Sequence, residues 1–154
     1  MTTATGNETR TGRIARPGED KAFSLLGIAI RPIVTAAESR GNLTLLEQTV
    51  PPGAGSPPHI LNHGDKAIYV VRGEFAVLLG EKTVAASAGM CVFIPEGVIH
   101  NFKNVGTEPG TIVVAVSPGG HEAFLEDASE ATKTAPPSKE LMNAVGSRHG
   151  VEMV

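Results

Sequence analysis

Between Pro57 and Glu74 the chain reads PPHILNHGDKAIYVVRGE, which gathers His59, His63, Asp65 and Lys66 around a turn between apolar runs. A second stretch, PEGVIHNF, carries His100 some forty residues later. Imidazoles bind transition metals or move protons near neutral pH. An amine that loses its charge acts as a base or nucleophile, and one that keeps it is a fixed cation for an anionic oxygen. These residues therefore suit either a metal centre or a pocket for proton transfer. Which of the two depends on the elements that carry them.

Those elements read as strands. Leu25–Ile33, Leu43–Val50, Lys66–Val71, Glu74–Leu79, Thr83–Ala86, Met90–Ile94, His100–Asn104 and Thr111–Val116 are short apolar stretches separated by turn residues. That spacing marks a β-sandwich or barrel. Arg72-Gly73 reads as a hairpin or as a bulge in one long strand. After Ser117-Pro118-Gly119-Gly120 the pattern becomes helical, with one helix over His121–Ala131 and a second over Ser138–Val145. Ser138 is placed to cap the second helix and Gly146 to end it. The organisation expected is a flexible or edge-docking arm over 1–22, a β-barrel over 23–120 and a helical extension over 121–154.

The composition agrees and narrows the classes. The 154 residues suit one domain, and 18 glycines with 11 prolines favour short elements and tight turns over a helical bundle. A net charge of −3 without a basic stripe argues against nucleic acid as a partner. No apolar run approaches the ~20 residues that span a bilayer. The first twenty residues contain no apolar stretch of signal-peptide type, so a cytoplasmic protein with no membrane partner is expected. One cysteine, Cys91, rules out an internal disulfide framework, and its apolar run suggests a buried, inert thiol.

Two spaced motifs resemble those of the cupins, in particular small single-domain cupins similar to quercetin dioxygenases. The first cupin motif is G-x5-H-x-H-x(3,4)-E-x6-G. Gly53, His59, Leu61, Lys66 and Gly73 occupy its frame without a gap. The second, G-x5-P-x-G-x2-H-x3-N, is matched in full by Gly89, Pro95, Gly97, His100 and Asn104. The resemblance extends from about residue 24 to the HGVEMV tail. It implies an all-β double-stranded β-helix (jelly-roll) barrel with two short C-terminal helices, a homodimer, and a small-molecule pocket inside the barrel mouth.

In the family, two histidines and a glutamate of motif one and the histidine of motif two hold iron, manganese, nickel, copper or zinc. By position, those places here hold His59, Leu61, Lys66 and His100. Leucine donates nothing, and a charged lysine repels a divalent cation. The expectation is therefore a degenerate metal site with no cofactor. Lys66, His59 and His100 would be catalytic, and Leu61, His63, Ile68 and Phe102 would contact substrate. The alternative is a divalent metal rebuilt on His59, His63 and His100. His63 otherwise reads as a solvated turn residue. Lys66 reads alternatively as pointing out of the mouth toward Asp65 or Glu47. His121 stands near the expected mouth, either touching ligand or in solvent.

Three functions follow. The first is a metal-independent isomerase, lyase or cyclase that moves a proton on an oxygenated or aromatic molecule. The second is a metal-dependent, quercetinase-like dioxygenase, and the third a non-catalytic small-molecule binder.

Overall fold

The computed structural model describes residues 10–154. Residues 1–9 of the expected arm lie outside the described residues. Eleven strands and two helices follow one another along the chain. The strands are β1 (Phe23–Leu25), β2 (Ile28–Val34), β3 (Thr44–Val50), β4 (His59–Leu61), β5 (Asp65–Arg72), β6 (Glu74–Leu79), β7 (Lys82–Ser87), β8 (Cys91–Ile94), β9 (His100–Asn104) and β10 (Gly110–Ser117). Helices α1 (His121–Thr134) and α2 (Lys139–Gly146) precede a last strand, β11 (Val151–Met153).

The strands form two antiparallel sheets, ordered β1-β2-β3-β10-β5-β8 and β11-β4-β9-β6-β7. Alternate residues of each strand point between the sheets. Leu46 and Val50 of β3, Ile68 and Val70 of β5, and Phe75 and Val77 of β6 are buried there. The expected all-β double-stranded β-helix is thus the observed architecture, and the two C-terminal helices are present.

Arg72-Gly73 is neither a hairpin nor a bulge. β5 pairs with β10 and β8 in the first sheet, whereas β6 pairs with β7 and β9 in the second. Gly73 is the corner at which the chain changes sheets. Its φ of 105° is in the region that favours glycine, and a Cβ there would stand 2.9 Å from the Gly110 Cα.

The C-terminal region does more than add helices. Ser138 caps α2 as expected, its Oγ accepting from the Leu141 amide at 3.0 Å. Gly146 is the last residue of α2, and only glycine fits there, because a Cβ would fall 2.3 Å from the Val151 carbonyl oxygen. That close approach lets β11 return beside β4, with Val151 opposite Leu61 and Met153 opposite His59. The three-residue β11 carries no pattern long enough to read from sequence. The first turn of α1 is tied to the barrel, since the buried Glu122 carboxylate accepts from the Ala36 amide at 2.6 Å and from the Thr44 hydroxyl.

Residues 10–22 run along the first sheet as irregular chain. Arg13 binds the Glu38 carboxylate at 2.8 and 2.9 Å, and Asp20 pairs with Arg31 at 3.0 Å. On the outer face of β5 and β8, Tyr69, Val71 and Phe93 are exposed. Cys91 is exposed with them, contrary to the buried thiol expected from its apolar run. Among the described residues no helix is long and apolar enough to cross a membrane.

Candidate functional site

His59 and His100 face each other across the pairing of β4 with β9, where they are register partners. Their ring centroids lie 4.2 Å apart. Lys66 comes from β5 in the opposite sheet, flanked by Ile94 and Val116. Two packed sheets stand about 10 Å apart, a gap that a lysine stem crosses. The Lys66 Nζ reaches the His59 Nε2 at 3.2 Å and the His100 Nε2 at 2.8 Å. Only 5% of Lys66 is exposed. The outward pairing with Asp65 or Glu47 does not occur. Asp65 accepts from the Glu96 amide, and Glu47 pairs with Arg31.

Backbone carbonyls fix the proton positions of both rings. The His59 Nδ1 lies 2.8 Å from the Pro57 carbonyl oxygen, and the His100 Nδ1 lies 2.9 Å from that of Val98. A carbonyl only accepts, so each Nδ1 carries the proton and donates. In the neutral ring Nε2 is then a lone pair, and Lys66 donates to both. Burial foremost, then the Lys66 charge, keeps His59 well below the usual imidazole range and pushes His100 down to about 3. Burial alone lowers Lys66 to about 7.

A tetrahedral amine nitrogen has three positions besides its carbon, and the histidines take two. As an ammonium, Lys66 has a third N–H that an anionic oxygen could accept; as a free amine, it has a lone pair there instead. Both forms are populated near neutral pH, which suits a group that gives and takes the same proton.

Lys66 and His59 form part of the wall of a cavity between the sheets, together with Ile68 and Phe102. Gln48 of β3, which neither motif marks, also lines it. A signal for it exists within β3, since Thr44, Leu46, Gln48 and Val50 share one strand face and only Gln48 is a long polar residue there. Leu25 of β1, His121 and Phe124 of α1, and Met142 of α2 close the mouth. His121 is buried at 8% exposure, not solvated.

Two expected contacts are not brought to the cavity. Leu61 is buried in the core but is not part of the cavity wall. His63 sits in the Asn62–Gly64 turn, exposed and beside Gly150. The β4 strand ends at Leu61, so the two-residue alternation that would have turned His63 inward is broken. A His59/His63/His100 set is therefore not assembled. Among the described residues no three His, Cys, Asp or Glu side chains come together as metal ligands.

The residues present do not fit the metal of the family pattern. The two Nε2 lone pairs converge on an amine nitrogen instead of an open position. A leucine and a lysine replace the remaining donors, and a charged lysine repels a divalent ion.

Two packed antiparallel sheets around a pocket lined in part by C-terminal helices define a jelly-roll barrel. Residues 46–116 match the family described as Cupin domain, and the chain has the cupin fold. Similar solved structures share this fold. KdgF from Halomonas sp. superposes with a TM-score of 0.66 at 21% identity, covering 73% of this chain and 99% of its own. A predicted oxalate decarboxylase from Thermotoga maritima gives 0.66 at 16% identity, covering 69% and 99%. The polyketide cyclase RemF from Streptomyces resistomycificus gives 0.62 at 21% identity, covering 70% and 80%. No match was found among curated proteins.

Proposed function

We propose that this cupin is an enzyme that moves a proton on a small oxygenated or aromatic substrate without a metal, as an isomerase, lyase or cyclase. The observation that carries this reading is the buried Lys66 amine, held by two imidazole acceptors on a residue that lines an apolar cavity. A lysine is costly to bury unless its charge or its lone pair is used.

In the free-amine form, Nζ takes a proton from a carbon beside a carbonyl. The electron pair of that C–H bond moves onto the carbonyl oxygen as an enolate, and the nitrogen becomes an ammonium. The new ammonium then steadies the oxygen or returns the proton to another carbon, which completes an isomerisation. Departure of a leaving group from the enolate gives a lyase; attack of the enolate carbon on a second carbonyl gives a cyclase. His59 and His100 aim the nitrogen, and their own N–H groups stay on backbone carbonyls. A cyclase such as RemF uses the same fold, although fold alone does not fix chemistry.

The test is proton NMR in D2O on a panel of enolisable aryl ketones and keto acids. Protein-dependent exchange of the α-proton is expected, with loss in Lys66→Met at unchanged circular dichroism. Exchange that persists in Lys66→Met overturns the role of the lysine. Binding without exchange across the panel favours the non-catalytic binder.

A further inference from the structure

His121 differs from the other four histidines of the chain. His59 and His100 are bonded at both ring nitrogens, to a carbonyl and to Lys66. The His149 Nε2 meets the Asp127 carboxylate at 2.6 Å, and His63 is open to solvent. His121 opens α1 in the cavity wall, and among the described residues its Nδ1 is the one buried side-chain nitrogen or oxygen atom with no hydrogen-bond partner. Buried polar groups are almost always paired, and an orphan of this kind calls for an explanation.

The surroundings indicate what would pair with it. Phe124 lies beside the ring, with centroids 5.7 Å apart, and Ile28, Ile30 and Val114 continue the wall with hydrocarbon. Burial first, then the positive charge of Lys66, keeps His121 neutral. A neutral imidazole offers one N–H and one lone pair. Its natural complement is a hydroxyl group, which both donates and accepts. A second cation on the ligand would meet Lys66 unfavourably, and a second anion would find no further charge in the cavity wall.

We propose that His121 is a specificity-determining residue that binds a neutral hydroxyl of the substrate, while an ionisable oxygen of the same molecule lies against Lys66. The substrate class is a hydroxylated aromatic ketone or phenol, with its apolar body against the isoleucine and phenylalanine wall. This inference rests on the reading of Lys66 as the group that meets the reacting oxygen.

The experiment is calorimetric binding of three probes: 2,4-dihydroxyacetophenone, 2-hydroxyacetophenone and 4-hydroxyacetophenone. The dihydroxy compound should bind the wild-type protein at least tenfold more tightly than either monohydroxy compound. His121→Phe should erase that preference while the weaker probes bind as before, and His121→Gln should restore part of it. Nitrogen NMR of the His121 ring should shift on addition of the dihydroxy probe and little with the others.

A uniform loss for all probes in His121→Phe, with no rescue by His121→Gln, assigns the residue a structural role and overturns the proposal. Equal affinities in the wild type, or no binding of any probe, overturn it as well. The two readings fail separately. A hydroxyl preference in the wild type, lost in His121→Phe, alongside absent proton exchange by the wild type upholds His121 and removes only the catalytic reading.

Discussion

The two His59/His100 rings inside the barrel and the His149 ring outside it make opposite use of one side chain. Inside, each Nδ1 gives its proton to a carbonyl two residues back, and Nε2 is left to accept from Lys66. Outside, the His149 Nε2 faces a carboxylate, which only accepts, so the ring donates there. The interior rings are buried and stay neutral; the exterior pair is partly solvated, with 47% of the Asp127 side chain exposed. What a histidine does here is set by which nitrogen meets an acceptor and by the water around it, not by residue type. The family's metal frame is retained in spacing, but a lysine now supplies what the imidazoles coordinate.

The sharpest way to break that comparison is to restore the missing ligands. The variant Leu61→His/Lys66→Glu should retain one divalent ion per chain after incubation with Fe, Mn, Ni, Cu or Zn and desalting. The wild-type protein should retain almost none, as read by elemental mass spectrometry. Stoichiometric retention by the wild type would contradict the assignment of Lys66 to the metal position.

Next in size is the loss of proton exchange in Lys66→Met, expected at ~100-fold or more for removal of a general acid/base. In the wild type, exchange should rise with pH through about 7, where Lys66 becomes a free amine, and level off above it. A profile flat across that range would remove Lys66 as the base.

Stability should carry the same signature. Lys66 titrates at about 7 when folded and 10.5 when unfolded, so between those values the unfolded chain holds more protons. Its stabilising contribution therefore rises with pH across that window, at up to about 1.4 kcal/mol per pH unit. The neutral interior histidines act in the same sense at lower pH. Below 6.5 the unfolded rings gain protons that the folded rings refuse, His100 down to about 3. Denaturant unfolding from pH 4 to 10 measures both; Lys66→Met should lose the upper limb and keep a weakened lower one, since burial remains the main cause there.

His100→Leu removes one acceptor of the lysine and one ring bond to Val98, at a cost of about 1–3 kcal/mol. The Lys66-dependent pH profile should also shift, which a purely structural loss would not produce. The smallest effect is expected outside the barrel. His149→Asn should cost less than about 1 kcal/mol, as half-solvated pairs do, and leave probe binding unchanged.

Much of the site was legible because motif spacing survives substitution. Gly53, His59, Lys66 and Gly73, with Gly89, Pro95, His100 and Asn104, placed the cluster residues on named strands. The direction of Lys66 was not legible. Lys66, Ile68 and Val70 point inward, but Ala67, Tyr69 and Val71 on the opposite face are almost as apolar, so alternation did not mark the inner side. Cys91 was misread for the same reason, since Val92 and Ile94 are buried while Cys91 and Phe93 face out. For His63 the sequence left both a solvated turn and an inward position open; it is solvated, because β4 ends at Leu61 and a strand's parity has no meaning beyond its last paired residue.

By itself, the sequence determined the class of fold, the strands that bear the chemistry and the absence of two metal-donor types at the ligand positions. Those properties are local: residue identity, glycine and proline at turns, and spacing along one chain. The tertiary structure alone decided that Lys66 bridges His59 and His100, that Gly73 changes sheets, and that α1 carries His121 into the cavity with its Nδ1 unpaired. Each depends on two sheets and a helix meeting across gaps closed by long-range packing, where the distance between side chains is independent of their separation in sequence.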